Sequence, residues 1–438
     1  MPVDIAPFQA RRARLLATMQ AAGGGVAVIP TSPERHRNRD TTYAYRFDSY
    51  FYYLTAFREP EAVLVLVAGD TPRSILFCRT KDVEREIWDG YRFGPDAAKD
   101  AFGFDEARPI DELDEQLGQL LANQPTVFHS IGYEPEWDRR IADALNRVRA
   151  QARTGAHAPA QIRDVRSLID DMRLIKDASE IATMRRAAEI SAGAHIRAMR
   201  AARPGVFEYE VEAELIHEFR RHGSQAPAYS SIVATGPNAC VLHYVENDRQ
   251  LADGDLLLID AGCELDGYAS DITRSFPVSG RFSGPQKAVY ELVLAAQAAA
   301  IAEIRPGASW NAGHDAAVRV LAQGYLDLGL LTGSLDGAIE SGSYRQFYMH
   351  RTGHWLGLDV HDAGEYKQAG EWRNLEAGNV LTVEPGTYIR PAEGVPEAFW
   401  NIGIRIEDDA LVTDTGCDII THATPKSVAD IEAIMAAR

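Results

Sequence analysis

The clearest alternation of apolar runs and polar breaks lies between Leu256 and Arg274. The aliphatic run Leu256–Ile259 predicts a short buried strand that ends on Asp260. Asp266-Gly267 then has the composition of a turn. The alternation from Tyr268 to Phe276 predicts a second strand that returns along the first. This stretch is therefore expected to fold as an antiparallel hairpin.

The predicted hairpin concentrates negative charge. If its centre lies between Leu265 and Asp266, Asp260 and Asp271 face each other directly, with Cβ atoms roughly 5 Å apart. Two carboxylates at that distance repel each other unless they share a proton or a cation lies between them. The hairpin therefore predicts either further metal ligands elsewhere in the chain or a shared proton.

The amino-terminal region alternates helical and strand patterns. It begins with an amphipathic helix over residues 8–20 and a buried strand over 26–30, and the aromatic stretch 37–57 is expected to be strand and core. Asp40, within that stretch, is expected to face a cleft, and Trp88 is either a core residue or an interface residue. The alternation to about residue 150 predicts a small α/β domain.

The remaining chain contains an internal repeat in the order of its predicted elements. A capping-box pattern starts a long helix near residue 177, and that helix stops at Arg203-Pro204-Gly205. Arg305-Pro306-Gly307 repeats the stop after a second Ala-rich helix, and an amphipathic helix follows each stop. The matching order predicts a duplicated half-domain with a site where the halves meet. We therefore expect an α+β protein with two domains, residues 1–165 and 166–438.

Composition narrows the class of protein. A chain of 438 residues that is 46% hydrophobic is too long for one ordinary core. Its formal charge of −18 makes nucleic acid and anionic membrane surfaces poor partners. Four widely spaced cysteines without a CxxC pair predict reduced thiols, and Cys263 is interpreted as structural. With no signal-peptide pattern and no apolar run of ~18 residues, a soluble cytoplasmic protein is expected.

Further candidate ligands follow the second helix pair. His350, His354 and His361 lie within one Gly-rich stretch, Glu384 ends an apolar strand, and Glu407 lies in the alternating segment GIRIEDD. Burying an unpaired carboxylate in such a place costs on the order of several kcal/mol, and a metal ion removes that cost. Each residue also has an ordinary alternative. The aspartates could be exposed charges at the hairpin end, Glu407 could pair with Arg405, and His354 could be a hydrogen-bonded core histidine.

Considered together, these residues predict a dinuclear metal site. Four carboxylates balance the charge of two divalent cations, and one neutral imidazole completes the set. Two such ions roughly 3.5 Å apart with a bridging water are the usual dinuclear hydrolase arrangement. Oxygen donors with a single nitrogen favour Mn²⁺ or Co²⁺, with Zn²⁺ a further possibility.

These motifs resemble a known family. IDAGCELDGYASDITR, HRTGHWLGLDVHD, TVEPGTY and GIRIEDD look like the signatures of the "pita-bread" metallopeptidases of family M24. RNRDTTYAYRFDSYFYYLTAFREPEAVLVL, EIWDGYR and APAYSSIVATGPNACVLHYVEN resemble the bacterial aminopeptidase P group, so that the likeness covers nearly the whole chain. It implies a carboxyl-terminal pita-bread catalytic domain and cleavage of the bond before a proline at position two of a peptide.

The resemblance also implies residue roles. The implied metal ligands are Asp260, Asp271, His354, Glu384 and Glu407, with Asp271 and Glu407 bridging two ions. In the implied mechanism, Glu384 carries the proton of the attacking water to the proline nitrogen, and His361 stabilises the oxyanion. The implied substrate-contacting residues are His243, His350, Tyr388 and Arg405. As the alternative, His243 and His350 hydrogen-bond a ligand carboxylate from outside the metal site. Arg351-Thr352 departs from the smaller or apolar residues expected before Gly353.

Two rival functions remain open at this point. A prolidase, which accepts only dipeptides, would carry the same ligands on the same fold. A non-catalytic peptide-binding protein would also share the fold, although it would be free to lose ligands. The resemblance further implies a homodimer or homotetramer, with Trp88 and Asp40 near the cleft of a neighbouring subunit.

Overall fold

The computed structural model describes residues 4–437, which form two compact units that divide between Arg173 and Leu174. The boundary expected after residue 165 falls at the start of the helix Arg166–Leu174, and the observed division lies at the other end of that helix. Among the described residues, no helix is both long enough and apolar enough to cross a membrane.

The amino-terminal unit is built on one mixed six-stranded sheet. In spatial order its strands are Glu106–Pro109, Arg73–Cys78, Val63–Ala68, Gly25–Pro30, Thr126–Phe128 and Gln161–Arg163. The helices of this unit are Ala6–Ala21, Ser49–Thr55, Val83–Asp89, Gly94–Phe102, Leu113–Leu121 and Pro135–Ala150. Aliphatic residues of the central strands pack against the helices Leu113–Leu121 and Pro135–Ala150, and this packing forms the core of the unit. The expected strand over residues 26–30 and the helix over 8–20 are thus present.

The aromatic stretch 37–57 differs from the strand expected there. Its second half is the helix Ser49–Thr55, because the Asp48 side chain accepts a hydrogen bond from the Phe51 amide and caps the first turn. Phe51 and its two following tyrosines are buried, as a core assignment requires, whereas Tyr43 is 59% exposed. Aromatic residues suit both kinds of element, so the capping residue decided the structure here.

Trp88 does not belong to the core. It lies on the short helix Val83–Asp89, and its side chain is 81% exposed, together with those of Val83, Ile87 and Tyr91. The core interpretation of Trp88 is therefore wrong, and its interface role stays a prediction. Asp40 is also exposed in this unit.

The carboxyl-terminal unit combines two helix pairs with several small antiparallel sheets. Ala178–Ala201 packs against Glu208–Arg221, and Gly284–Ala302 packs against Ala312–Asp327. The first of these helices begins with the capping box predicted at Asp177. The other helices are Leu335–Ser341 and Val428–Ala436. The strands are Ala226–Pro227, Ile232–Thr235, Leu256–Asp260, Cys263–Leu265, Tyr268–Ala269, Thr273–Pro277, Lys367–Gln368, Glu371–Trp372, Val380–Val383, Gly386–Ile389, Ile402–Arg405, Asp408–Val412 and Cys417–Ile419.

The hairpin forms, but its register differs by two positions from the expected one. Asp260 lies opposite Thr273, not opposite Asp271. The reason is the turn: Asp266 and Gly267 have φ values of 51° and 84°, so both central residues of a two-residue turn are left-handed and the hairpin is centred between them. A shift of two positions leaves every side chain on the same face of the sheet. Asp271 therefore remains on the face of Asp260, diagonally across the ladder.

A buried ion pair lies behind this hairpin. The guanidinium of Arg274 donates to Asp408 Oδ1 at 2.7 Å, and both side chains are fully buried. The same guanidinium donates to four backbone carbonyl oxygens, including that of Glu407 at 2.6 Å. Burial alone would raise the pKa of Asp408, but Arg274 and Lys426 outweigh it and hold that pKa below its ordinary value. Arg274 thus ties together the strands that carry the acidic residues.

Candidate metal centre

A cavity of about 1000 Å³ in the carboxyl-terminal unit collects most of the predicted site residues. These residues lie at strand ends and in the loop after residue 348, in segments that are far apart along the chain. Lining this cavity are Asp260, Asp271, His354, Glu384, Glu407, His243, His350, His361 and Arg405. Tyr388 lies next to them through its hydrogen bonds to His350 and Arg405. Asp40 and Trp88 lie in the amino-terminal unit.

Three of the candidate ligands form a tight group. One donor atom from each of Asp271, His354 and Glu407 lies within 4.8 Å of the other two, and all three residues are buried. His354 Nε2 is 3.4 Å from a carboxylate oxygen of Asp271 and 3.7 Å from one of Glu384. Since His354 Nδ1 lies 3.0 Å from the Trp355 carbonyl oxygen, which can only accept, Nδ1 carries the proton and Nε2 faces the acids.

The acids of the group hold their protons more tightly than usual. Burial is the main cause, and the neighbouring carboxylates add to it: the pKa of Glu384 rises to about 7, and those of Asp271 and Glu407 also lie above their ordinary values. For His354, burial works against the charged form, but the hydrogen bond to Asp271 and the charge of Glu384 raise its pKa to about 9. Burial and the neighbouring carboxylates thus disfavour the ionised acids, and a bound cation would favour them.

Arg405 supplies one positive charge to this site. Its guanidinium donates to Asp260 Oδ2 at 2.6 Å, to Tyr388 Oη at 2.9 Å and to Thr273 Oγ1 at 3.0 Å. The alternative in which Arg405 pairs with Glu407 is thus replaced by pairing with Asp260. One guanidinium does not balance four carboxylates, so the donor set fits divalent metal, which oxygen and imidazole ligands prefer. The candidate holders of that metal are Asp260, Asp271, His354, Glu384 and Glu407.

Tyr229 is a site residue that the sequence reasoning missed. Its Oη lies 2.6 Å from Asp260 Oδ1 and 2.5 Å from Asp271 Oδ1, and its side chain lines the cavity. Burial and the charges of these two aspartates raise its pKa well above the ordinary value, so the phenol stays protonated and donates. Nothing local to the segment APAYSSI signals this role, because both acceptors lie far along the chain.

We expect Tyr229→Phe to weaken binding of Mn²⁺ about 10- to 100-fold without unfolding the protein, as loss of a hydrogen bond to a ligand does in other metal sites. Isothermal titration of the metal-stripped protein with Mn²⁺ measures the change. Tyr209→Phe is the matched control, because Tyr209 is half exposed on the helix Glu208–Arg221. Equal Mn²⁺ affinity of the two variants would contradict this role for Tyr229.

The three other histidines lie at different depths. His350 Nε2 is 2.9 Å from Tyr388 Oη, and His350 Nδ1 is 3.8 Å from a carboxylate oxygen of Glu384. Burial and Arg405 lower the pKa of His350 to about 3, so its ring is neutral. The ring of His361 lies 4.0 Å from that of His354, and burial lowers its pKa to about 4. His243 is exposed on the cavity wall. The neutral imidazoles of His350 and His361 can each donate one hydrogen bond without adding charge.

A second buried ion pair fixes the loop of His361. Lys176 Nζ lies 2.8 Å from Asp362 Oδ2, and both side chains are 1% exposed. A Cβ at Gly357 would lie 2.2 Å from the same oxygen, so this position requires glycine. The ion pair therefore anchors this loop at Asp362. Because Asp362 follows His361 directly, the same anchor holds His361 beside His354.

Comparison with known proteins agrees with the fold and the donor set. Residues 182–414 match the model of metallopeptidase family M24, and residues 8–128 match that of the aminopeptidase P N-terminal domain. The chain therefore belongs to metallopeptidase family M24, and its carboxyl-terminal unit has the pita-bread fold.

Full-length relatives narrow the class further. Xaa-Pro aminopeptidase of Escherichia coli is 47% identical over 98% of this chain and 97% of its own length. The structure of Pseudomonas aeruginosa aminopeptidase PepP is 52% identical with a TM-score of 0.98, covering 100% of this chain and 99% of that one. Proline aminopeptidase P II from Yersinia pestis is 47% identical with a TM-score of 0.96 over the full length of both chains. The similarity is thus to aminopeptidases P throughout the chain.

Proposed function

We propose that this chain is a metal-dependent Xaa-Pro aminopeptidase, which hydrolyses the bond between an N-terminal residue and a following proline. The observation that carries the proposal is that four acids and one imidazole line a single cavity of about 1000 Å³, with Asp271, His354 and Glu407 buried and close together. The full-length identity of 47% to a relative named Xaa-Pro aminopeptidase supports the substrate class.

The proposed cofactor is a pair of divalent ions, with Mn²⁺ as the preferred metal. Four carboxylates match the charge of two such ions, and the donor atoms are hard oxygens with one nitrogen. We propose that all five candidate holders would hold the metal. When bound, the metal supplies a Lewis acid and lowers the pKa of coordinated water.

The protein side chains have separate proposed tasks. Glu384, which lines the cavity beside His354, accepts the proton of the attacking water and returns it to the proline nitrogen as the bond breaks. His361, as a neutral imidazole, donates a hydrogen bond to the oxygen that becomes negative. His243 contacts the peptide near the scissile bond. The group of His350, Tyr388 and Arg405 forms a wall for the proline ring, which has no N–H to satisfy.

The prolidase alternative is not favoured. The relatives that match over their full length are named Xaa-Pro aminopeptidase, and both units of the chain match aminopeptidase P structures. The non-catalytic alternative gains nothing from the structure either, since all five candidate ligands are present and gathered around one cavity.

A peptidase assay with added Mn²⁺ tests the proposed function. We expect release of the first residue from Ala-Pro-Ala and no release from Ala-Ala-Ala, with activity lost on chelation and restored by Mn²⁺. The dipeptide Ala-Pro is the comparison that separates the two enzyme classes, because a prolidase would cleave it and leave the tripeptide intact. Cleavage of Ala-Ala-Ala at the rate of Ala-Pro-Ala would contradict the proposed specificity.

We also propose a homo-oligomer, either a dimer or a tetramer. The exposed apolar side chains of Val83, Ile87, Trp88 and Tyr91 support it, because such a patch is commonly covered by a partner. In that assembly Trp88 and Asp40 would lie near the cleft of a neighbouring subunit.

We further propose a cytoplasmic location. It is supported by the four cysteines, none of which forms a disulfide within residues 4–437.

A further inference from the structure

The mouth of the catalytic cavity carries two cations stacked on one tryptophan. The Lys367 ammonium lies 4.3 Å and the Arg351 guanidinium carbon 4.8 Å from the ring centroid of Trp372. We call these three residues the cationic rim. All three line the same cavity as His354 and Glu384. The rim is thus part of the catalytic cavity and no separate surface.

A short hairpin builds the rim. Lys367 pairs with Trp372 and Gln368 with Glu371 across a two-residue turn, in which Ala369 and Gly370 have φ values of 51° and 90°. Partners in an antiparallel ladder point to the same face, so Lys367 and Trp372 lie together and Glu371 points to the opposite face. Arg351 reaches Trp372 from the loop before His354, and Asn311 Oδ1 accepts a hydrogen bond from its guanidinium.

The charges of the cavity are therefore divided. Asp260, Asp271, Glu384 and Glu407 make its floor acidic, while Arg351 and Lys367 make the mouth basic. A peptide carries its ammonium at the amino end and its free carboxylate at the other end. The bond that is hydrolysed lies at the metal-holding residues of the floor, and the basic mouth repels the amino-terminal ammonium, so the chain that follows the proline faces the rim.

We infer that the cationic rim selects for negative charge on the substrate after the proline, namely an acidic third residue or the free carboxylate of a tripeptide. The inference rests on the proposed function, since it assigns a preference to that same site. Arg351 is one of the two residues at which the sequence departs from the expected pattern, so this preference belongs to this chain's own residues.

Peptides with an amidated carboxyl end carry no terminal carboxylate, so they isolate the effect of the third residue's side chain. We compare kcat/KM for Ala-Pro-Glu-amide, Ala-Pro-Gln-amide and Ala-Pro-Lys-amide, which differ only in the charge of the third residue. The Glu peptide should exceed the Lys peptide about five- to tenfold at low ionic strength, as expected for two exposed charge pairs. The ratio should approach one at about 0.5 M salt, where screening is strong.

Charge reversal at the rim should abolish or invert this preference. In Lys367→Glu the Glu-to-Lys ratio should fall to one or below. Lys287→Glu is the matched control: Lys287 is half exposed on the helix Gly284–Ala302, and its reversal should leave the ratio unchanged. Inhibition by the product Pro-Glu-amide, compared with Pro-Lys-amide, gives the same preference without turnover.

The outcomes separate this inference from the proposed function. If the Gln peptide is cleaved but the wild-type ratio stays near one at low salt, the rim has no selective role and the peptidase assignment stands. A Glu-to-Lys ratio in Lys367→Glu equal to that of the wild type would likewise show that the rim does not select for negative charge. If none of the three peptides is cleaved, the proposed function fails and the inference fails with it.

Discussion

Replacing Glu384 by Gln should reduce kcat on Ala-Pro-Ala by at least about 10²- to 10⁴-fold, the range that a positioned acid–base group contributes. The amide keeps the shape of the carboxylate but cannot accept the water's proton. Glu384 lies on the edge of the acidic group, with a carboxylate oxygen 3.7 Å from His354 Nε2, and it lines the cavity where the attacking water would be held. Steady-state kinetics in saturating Mn²⁺ measure the effect.

The metal content of the Glu384→Gln variant shows whether its loss of activity comes from lost metal or from lost proton transfer. If Glu384 both binds metal and moves the proton, the Gln variant should lose activity even when mass spectrometry shows that it retains metal. Glu393→Gln is the matched control, because Glu393 is exposed and lies after the strand Gly386–Ile389. Wild-type kcat in the Glu384 variant would show that another residue carries the proton.

Arg274→Met should lower the free energy of unfolding by about 3–5 kcal/mol, which makes it the largest stability effect expected for the catalytic unit. The substitution leaves Asp408 buried beside Lys426 but without its guanidinium partner at 2.7 Å. It also removes the donors of four backbone carbonyl groups. Urea unfolding at neutral pH, followed by tryptophan fluorescence, measures the change.

Two further variants test the reason for that loss. Arg274→Lys keeps the charge but not the planar fork of donors, so it should fall between wild type and Arg274→Met. Arg305→Met removes an arginine that is 55% exposed and should shift the unfolding free energy by less than about 0.5 kcal/mol. If Arg274→Met were no less stable than Arg305→Met, the buried network would not support the fold as described.

The candidate ligands could be found from sequence because each interrupts an apolar pattern. Asp260 and Glu384 end or follow runs of aliphatic residues, where a buried carboxylate needs a physical reason. The pairing of strands was less accessible, because the hairpin centre depends on which two residues adopt left-handed conformations. Asp-Gly is a usual sequence signal for a turn with two left-handed residues, but the expected centre lay one residue earlier, between Leu265 and Asp266, and the expected register was therefore off by two.

Long-range contacts account for the residues that sequence reasoning missed. Tyr229 reaches Asp260 and Asp271 only after the strands assemble, and no spacing rule links a tyrosine to such distant acids. The helix Ser49–Thr55 shows the opposite limit: there, a single local hydrogen bond from a capping residue outweighed the strand preference of aromatic side chains.

The left-handed turn at Asp266-Gly267 turns chain length into a functional constraint. Side chains alternate between the two faces of a strand, so inserting one residue into the paired strand between Gly267 and Asp271 would carry that carboxylate to the far side of the sheet. Exposed loops elsewhere tolerate changes in length. Evolution and protein engineers alike can lengthen the segments around this site, but the count of paired strand residues between the turn and each aspartate must stay fixed.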